Sequence, residues 1–381
     1  MNKNIKKLNL CLIFGGKSVE HDISILSGLQ VYHALDKDKY EIEIVYITKE
    51  NKLLVGSNLH KIETYKKERY LSKKYKKVHI ENINNKTYLI SKKYKKQIDV
   101  FLPIVHGEGV EDGTISSILE FNNATYINAN SISSGIAQDK IFTKDILEKH
   151  HILTPKYVCA ENSNNIEEHI KYINDKLKYP LIIKSSRLGS SIGIEKVENE
   201  SILKEKLEQV FKYSERLIIE ELIENIKEYN CACFRYNDKI YVSSIEEINS
   251  KSDYLTFDEK YISSTNKINV ENCRIIPANI KESLEIEIKN ITKDIYQILD
   301  MDGVIRIDYI YDLTKNILYF NEVNTIPGSL AFYLYEDAGI KFNVLLDMLI
   351  KESILRKNTK NKKIDTFSSN VLNNKSKKLT K

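Results

Sequence analysis

Two segments near the carboxyl end, VIRIDYIY and ILYFNEVN, carry an arginine, two carboxylates and an amide at alternate positions: Arg306, Asp308, Glu322 and Asn324. Strand side chains alternate between faces, so each segment shows its pair on one side. The five residues Asp312 to Asn316 separate the segments. A hairpin turn centred on Thr314 sets 306 opposite 322 and 308 opposite 320, and gathers all four onto one face. Three oxygen ligands beside a cation suit magnesium, a hard ion held by one or two carboxylates and the phosphates of a nucleotide. Taken alone, the four residues read as an ordinary acidic hairpin.

Further loops add to this cluster. SSRLGSSIG (Ser185 to Gly193) follows a strand ending in Lys184, and its small residues let backbone amides approach an anion, as in a phosphate cradle. It lacks the nucleoside-triphosphate P-loop spacing, and FGGKSVE at Phe14 lacks the dinucleotide GxGxxG spacing. Asp139-Lys140 and Lys184 offer point positive charges for phosphates. HGEGVEDGT (His106 to Thr114) leaves the segment IDVFLPIV and opens the helix TISSILEF. Ligands of open α/β sheets bind at such strand ends, and the helix amino terminus attracts a carboxylate. By itself His106 reads as a hydrogen-bonded turn residue. Cys231 and Cys233 at strand spacing put both thiols on one face, in buried core.

The elements that position these loops alternate in type. LNLCLIF (Leu8 to Phe14) is a short apolar strand stopped by Gly15-Gly16, and Ile25, Leu29 and Tyr32 form the stripe of a helix after Asp22. Tyr40 to Ile47 and Ile98 to Val105 read as further strands. Helices are expected at Ile141 to His150, Ile166 to Leu177 and Lys281 to Leu299. Further strands are expected at Tyr179 to Lys184, Ile240 to Ile245, Gly303 to Tyr311 and Ile317 to Val323. A chain of 381 residues exceeds a single core and implies two or three domains of roughly 100–150 residues.

The net charge of +5 is concentrated in the tail: Arg356 to Lys381 holds nine Lys or Arg against one Asp, so residues 1–355 sum to −3. SKKYKK occurs at Ser72 and again at Ser91, flanking two alternating runs around Asn84-Asn85, which read as a surface hairpin. A nucleic acid partner is not expected, because the rest of the chain is acidic. Five scattered cysteines without metal-site spacing and the lack of a long apolar run fit a cytoplasmic enzyme with no membrane partner.

In this order FGGKSVEHDIS, HGEGVEDGT, QDK, KSSRLGSSIG, EKY, IRID and NEVNTIPGS resemble the D-alanine–D-alanine ligase family of the ATP-grasp superfamily, over about Leu8 to Ile354. The resemblance implies an α/β, three-domain ATP-grasp ligase. Residues 1–138 would form an open α/β substrate domain with a basic insert at about 61–97, and 139–221 a small central α/β domain. Residues 222–355 would form an α+β catalytic domain, and 356–381 a basic disordered tail. It implies ATP and two Mg²⁺ ions, with Mn²⁺ a possible substitute, D-alanine as substrate, a peptidoglycan precursor as product, and a homodimer. Glu20 matches the glutamate that holds the first amino group, and His106 matches the first-substrate loop. Ser190 and Tyr261 match residues that link the domains across the site with Glu20. Lys140 and Lys184 match phosphate-contacting lysines, and Lys260 one that reaches the terminal phosphate. Glu220, Glu221 and Leu222 correspond to the adenine-binding segment and Glu228 to the ribose-binding glutamate. Arg306 and the Gly328 backbone match groups that stabilise oxyanion charge, and Asp308, Glu322 and Asn324 the two-magnesium site. The loop from about 249 to 266, carrying Lys260 and Tyr261, would order over bound ATP.

Some positions depart from the family's pattern. Ser185, Leu188 and Val110 replace its usual proline, glutamate and glycine, and none is a proposed ligand. Counted without gaps, Tyr333 stands where the family's serine binds the second substrate's carboxylate. D-serine, D-lactate or another amine therefore stay open as second substrates, as does another ATP-grasp carboxylate–amine ligase. A nucleotide-binding regulatory protein without turnover is the alternative outside enzymes.

Overall fold

The computed structural model describes residues 6–162, 165–189, 193–248, 274–364, 366 and 369. Its first sheet begins with β1 (Leu8–Gly15), β2 (Tyr40–Ile47), β3 (Leu53–Val55) and β4 (Lys76–Lys77). A separate antiparallel sheet follows, of β5 (His79–Ile83), β6 (Lys86–Ser91) and β7 (Tyr94–Ile98), and β8 (Val100–Pro103) returns to the first sheet. The order of that sheet is β4-β3-β2-β1-β8, with β1 parallel to both neighbours. Leu10 to Phe14 are fully buried, as expected of a central parallel strand covered on both faces. The helix His21–Ala34 packs against it.

The basic insert forms its hairpin at Asn84-Asn85, both at positive φ, and a second turn at Lys92-Lys93 adds a third strand. The expected strand Ile98 to Val105 is broken. Asp99 separates β7 from β8, because its carboxylate accepts the Asn9 amide at 2.8 Å and its own N–H donates to the Asn9 carbonyl. The chain therefore changes sheets at this residue.

The second body is the antiparallel sheet β11-β10-β12-β9, made of β9 (Tyr157–Glu161), β10 (Leu181–Ser185), β11 (Ile194–Val197) and β12 (Arg216–Glu221). Helices Ile166–Lys176 and Glu200–Val210 bring Ile173, Leu203 and Leu207 onto Leu181, Ile183, Leu217 and Ile219. The third sheet is β15-β14-β13-β16-β17, made of β13 (Ile226–Tyr236), β14 (Lys239–Ile248), β15 (Arg274–Ile275), β16 (Ile305–Asp312) and β17 (Ile317–Asn324). Cys231 and Cys233 join the core under helix Glu282–Ile298 while Ala232 joins the core of the first sheet, as strand alternation requires. Among the described residues no helix is long and apolar enough to cross a membrane.

The expected tail begins too early. Helix Phe342–Lys360 runs past residue 355, because Arg356 continues the buried stripe of Leu345, Leu346, Leu349, Ile350 and Ser353. Its guanidinium donates to the Tyr126 carbonyl (2.8 Å) and the Asn128 carbonyl (3.2 Å) and pairs with Asp302 at 2.6 Å. A charge-rich composition argues for disorder only where the charges lack such partners. Arg356→Ala strands Asp302 and two carbonyls. It should cost about 2–3 kcal/mol and lower the melting temperature by roughly 4–10 °C in a thermal shift assay, whereas Lys362→Ala should leave it unchanged.

Candidate active site

The hairpin of β16 and β17 pairs with a bulge. Near the turn Tyr309 faces Phe320 and Asp312 faces Ile317, but beyond Asp308 the register steps by one, so Asp308 faces Glu322 and Arg306 faces Asn324. The even pairing expected from the sequence is therefore wrong by two residues at the site. Asn321 is the extra residue on β17, and it shares with Glu322 the half-exposed side of a strand whose flanking Phe320 and Val323 are buried. Asp308 lies directly opposite Glu322 as a result.

Arg306 holds Asp308 in a bidentate pair, Nε to Oδ1 at 2.7 Å and Nη2 to Oδ2 at 2.8 Å. Asn324 Nδ2 donates to Asp308 Oδ2 at 3.3 Å. Two carboxylates and an amide oxygen on adjacent strands are hard donors of the kind magnesium takes. Among the described residues no cluster of three or more His, Cys, Asp or Glu could hold a metal unaided. The donor set fits an ion whose coordination is completed by phosphate oxygens.

A cavity of about 140 Å³ gathers Glu20, Lys140, Glu228, Arg306, Asp308, Glu322 and Asn324, with Asn321 and Gly189 in its wall. Lys140 donates to the Leu188 carbonyl at 2.8 Å and stands 3.4 Å from Glu322. Gly189 brings the described part of the Ser185–Gly193 loop against Glu20, for a side chain there would meet the Glu20 carboxylate at 3.5 Å. Ser190, Lys260 and Tyr261, and the loop expected to cover the site, lie outside the described residues.

Lys184 is paired within the protein. Its ammonium donates to Glu220 Oε2 at 2.7 Å and to Asn321 Oδ1 at 3.3 Å. The other Glu220 oxygen is held by Lys144, which is fully buried. Burial opposes a charge on Glu220, but the two lysines outweigh it and bring the carboxyl down to about 2. The Glu220 side chain is thus engaged in fixing two lysines. Glu221 accepts the Lys178 amide at 3.0 Å, and Leu222 donates its N–H to the Pro180 carbonyl.

His106 is buried, and burial pushes its imidazole down to about 4. Its Nε2 lies 3.0 Å from Ser27 Oγ, which also accepts the Ser329 amide at 3.0 Å. His106 therefore ties its loop to the turn beginning at Gly328. Ser329, Leu330 and Ala331 follow with left-handed φ of 49°, 58° and 49°, a costly run that surrounding contacts must hold. Tyr333 donates its hydroxyl to Glu246 Oε2 at 3.1 Å.

Several site residues were not anticipated. Glu111 accepts Gly107 N–H, Thr325 O–H and Ile326 N–H, bridging the His106–Thr114 loop and the segment after Asn324. Burial, with Glu20 nearby, raises its carboxyl to about 7. Lys144 follows Lys140 by one helical turn, so spacing alone could have flagged it. Asn321 depends on the bulge, which has no signature in the sequence.

Residues 146–351 match the family described as "D-ala D-ala ligase C-terminus" and residues 9–129 that described as "D-ala D-ala ligase N-terminus". The D-alanine–D-alanine ligase of Thermosipho melanesiensis is 37% identical over 366 residues, covering 96% of this chain and 98% of that one. That of Caldicellulosiruptor bescii is 34% identical, covering 94% and 98%. The solved D-alanine–D-alanine ligase of Coxiella burnetii is similar with a TM-score of 0.80 at 25% identity, covering 93% of this chain and 96% of that chain. The VanG D-Ala:D-Ser ligase of Enterococcus faecalis has a TM-score of 0.79 at 27% identity, covering 91% and 100%.

The lysine–glutamate–lysine chain has an acid signature. Because the Glu220 carboxyl is lowered by folding to about 2, its stabilisation is present above the ordinary value near 4.5 and is lost as pH falls towards 2. Between those limits the urea midpoint of the wild-type protein should fall more steeply with acid than that of Glu220→Gln. Parallel pH curves for the two would contradict the ion-pair chain.

Proposed function

The chain belongs to the D-alanine–D-alanine ligase family, and on that premise we propose that its cleft joins two D-alanine molecules at the expense of ATP, supplying a dipeptide for peptidoglycan. The observation that carries this reading is the direct opposition of Asp308 and Glu322, with Arg306 on the same face, in one cavity with Glu20, Lys140 and Glu228. A carboxylate is a poor acyl donor to an amine. It must first attack the terminal phosphate of ATP to give an acyl phosphate, whose acyl carbon the second amine then attacks, displacing phosphate.

The residues divide this work by their chemistry. Glu20 would hold the first D-alanine's ammonium, with the His106 loop beside it shaped by Gly107, where a side chain would stand 3.0 Å from the Glu20 carboxylate. Lys140 and Lys184 would meet the phosphates, and the strand end at Glu220, Glu221 and Leu222 would take the base, with Glu228 at the ribose. With Glu220 committed to Lys144 and Lys184, the backbone of this segment is the part left to address adenine. Asp308, Glu322 and Asn324 would hold Mg²⁺, which neutralises crowded phosphate oxygens when bound. Arg306 and the Gly328 amide would stabilise the oxyanion that forms as the amine attacks.

Three bodies divided near residues 138 and 221, a cytoplasmic setting and a homodimer complete the proposal, supported by the family's resemblance and, for the bodies, by the separate sheets β4-β3-β2-β1-β8, β11-β10-β12-β9 and β15-β14-β13-β16-β17. Purified protein with ATP, Mg²⁺ and D-alanine should release phosphate and D-alanyl-D-alanine in equal amounts, identified by mass; phosphate without dipeptide would overturn the reading. Arg306→Ala should lower kcat by about 10²–10³-fold while nucleotide binding by calorimetry persists. Asp308→Asn should shift the magnesium titration of activity to higher concentration.

A further inference from the structure

Six carboxylates line the cavity: Glu20, Glu111, Glu228, Glu246, Asp308 and Glu322. The proposed chemistry gives work to four of them, and Glu111 is saturated by hydrogen bonds between the two loops. Glu246, on β14, is left. It is fully buried, and its Oε2 accepts the Asn230 amide at 2.8 Å and the Tyr333 hydroxyl at 3.1 Å. Its Oε1 accepts no hydrogen bond among the described residues. Arg274 Nη1 stands 3.5 Å from that oxygen, and the Arg274 guanidinium lies over the Tyr333 ring, 5.7 Å from its centre.

A buried carboxylate oxygen with unused acceptor capacity is costly, and the cost is removed when a donor arrives. Glu246 lines the cavity that holds Arg306, so a ligand seated there can bring the donor that its buried Oε1 lacks. The adjacent guanidinium is only partly satisfied by a 3.5 Å contact. An α-amino acid in water carries an ammonium and a carboxylate about this far apart, and a pair of opposite charges at the wall complements it. A hydroxy acid offers the carboxylate but no positive charge.

We propose that Glu246 and Arg274 form the second-substrate subsite, the carboxylate receiving the ammonium and the guanidinium the carboxylate of a zwitterionic amino acid. The subsite thereby selects amino acids over hydroxy acids. Tyr333 acts within it as the hydroxyl that orients Glu246, with Asn230 holding the same oxygen from β13. This inference rests on the ligase reading. An ion pair that served only to fasten β15 to β14 would show no preference between substrates.

The test uses the full chain with ATP and Mg²⁺, D-alanine as first substrate, and D-alanine or D-lactate as second. In Glu246→Gln, kcat/KM for D-alanine at the second site should fall roughly 10- to 100-fold through a rise in KM. The ratio of dipeptide to depsipeptide from an equimolar mixture should fall with it. Isotope exchange within ATP, which reports acyl phosphate formation, should persist. Arg274→Gln should weaken both second substrates and leave that ratio unchanged. An unaltered second-site KM in Glu246→Gln, or a parallel loss of isotope exchange and ligation, would overturn the inference. A wild-type protein that forms no dipeptide would instead remove the ligase reading beneath it.

Discussion

One extra residue on β17 governs where the charges of this molecule stand. Strand pairing forces residues on one face into alternation, and an uninterrupted hairpin of β16 and β17, continuing the Tyr309–Phe320 pairing, would have left Asp308 facing Asn321. The bulge at Asn321 moves Glu322 into that position and turns two consecutive polar side chains towards the cleft. Asn321 then reaches Lys184 on the second sheet, while Glu322 approaches Lys140 at the start of its helix. Contacts between separate sheets thus depend on a local defect in a single ladder, as bulges near functional sites commonly re-aim side chains.

The charges so placed are held in mutual pairs, and this explains how several ionised groups can be buried in one cleft. Arg306 neutralises Asp308, Lys144 and Lys184 share Glu220, and Arg187 and Arg216 share Asp139, whose other oxygen caps the helix Lys140–Lys149. Removing one member of such a pair leaves a buried charge without compensation, which is far more costly than the pair is stabilising. A bound nucleotide would exchange partners within these pairs, with phosphates answering the lysines and a divalent ion answering Asp308.

Local rules made much of this legible before any coordinates. Apolar runs located β1, β2, β10 and the helices Glu282–Ile298 and Thr114–Phe121 closely, and the spacing of Arg306, Asp308, Glu322 and Asn324 placed them on one face. What escaped were long-range effects. The break at Asp99 needs Asn9, ninety residues away, and the helix beyond Leu355 needs Asp302 and the carbonyls of Tyr126 and Asn128. Glu220 was assigned by resemblance to the adenine segment, yet its side chain answers to Lys144, which the helical spacing places beside Lys140 but whose contact with a residue 76 positions away it could not foretell.

The His106–Thr114 loop and the turn after Asn324 are joined by a second tie besides His106. Glu111 accepts hydrogen bonds from Gly107 on one side and from Thr325 and Ile326 on the other. Both ties run from the His106–Thr114 loop to the segment between Asn324 and the Gly328 turn, which immediately follows the proposed metal ligands. The loop that would hold the first amino acid and the turn that would meet the oxyanion are therefore fixed to each other through buried polar groups. The left-handed run at Ser329, Leu330 and Ala331 follows as a consequence: a turn pinned at Ile326 and Ser329 has little freedom to relax into a cheaper conformation. Strain in that turn is the structural cost of holding two loops, carried by different sheets, in one constant geometry.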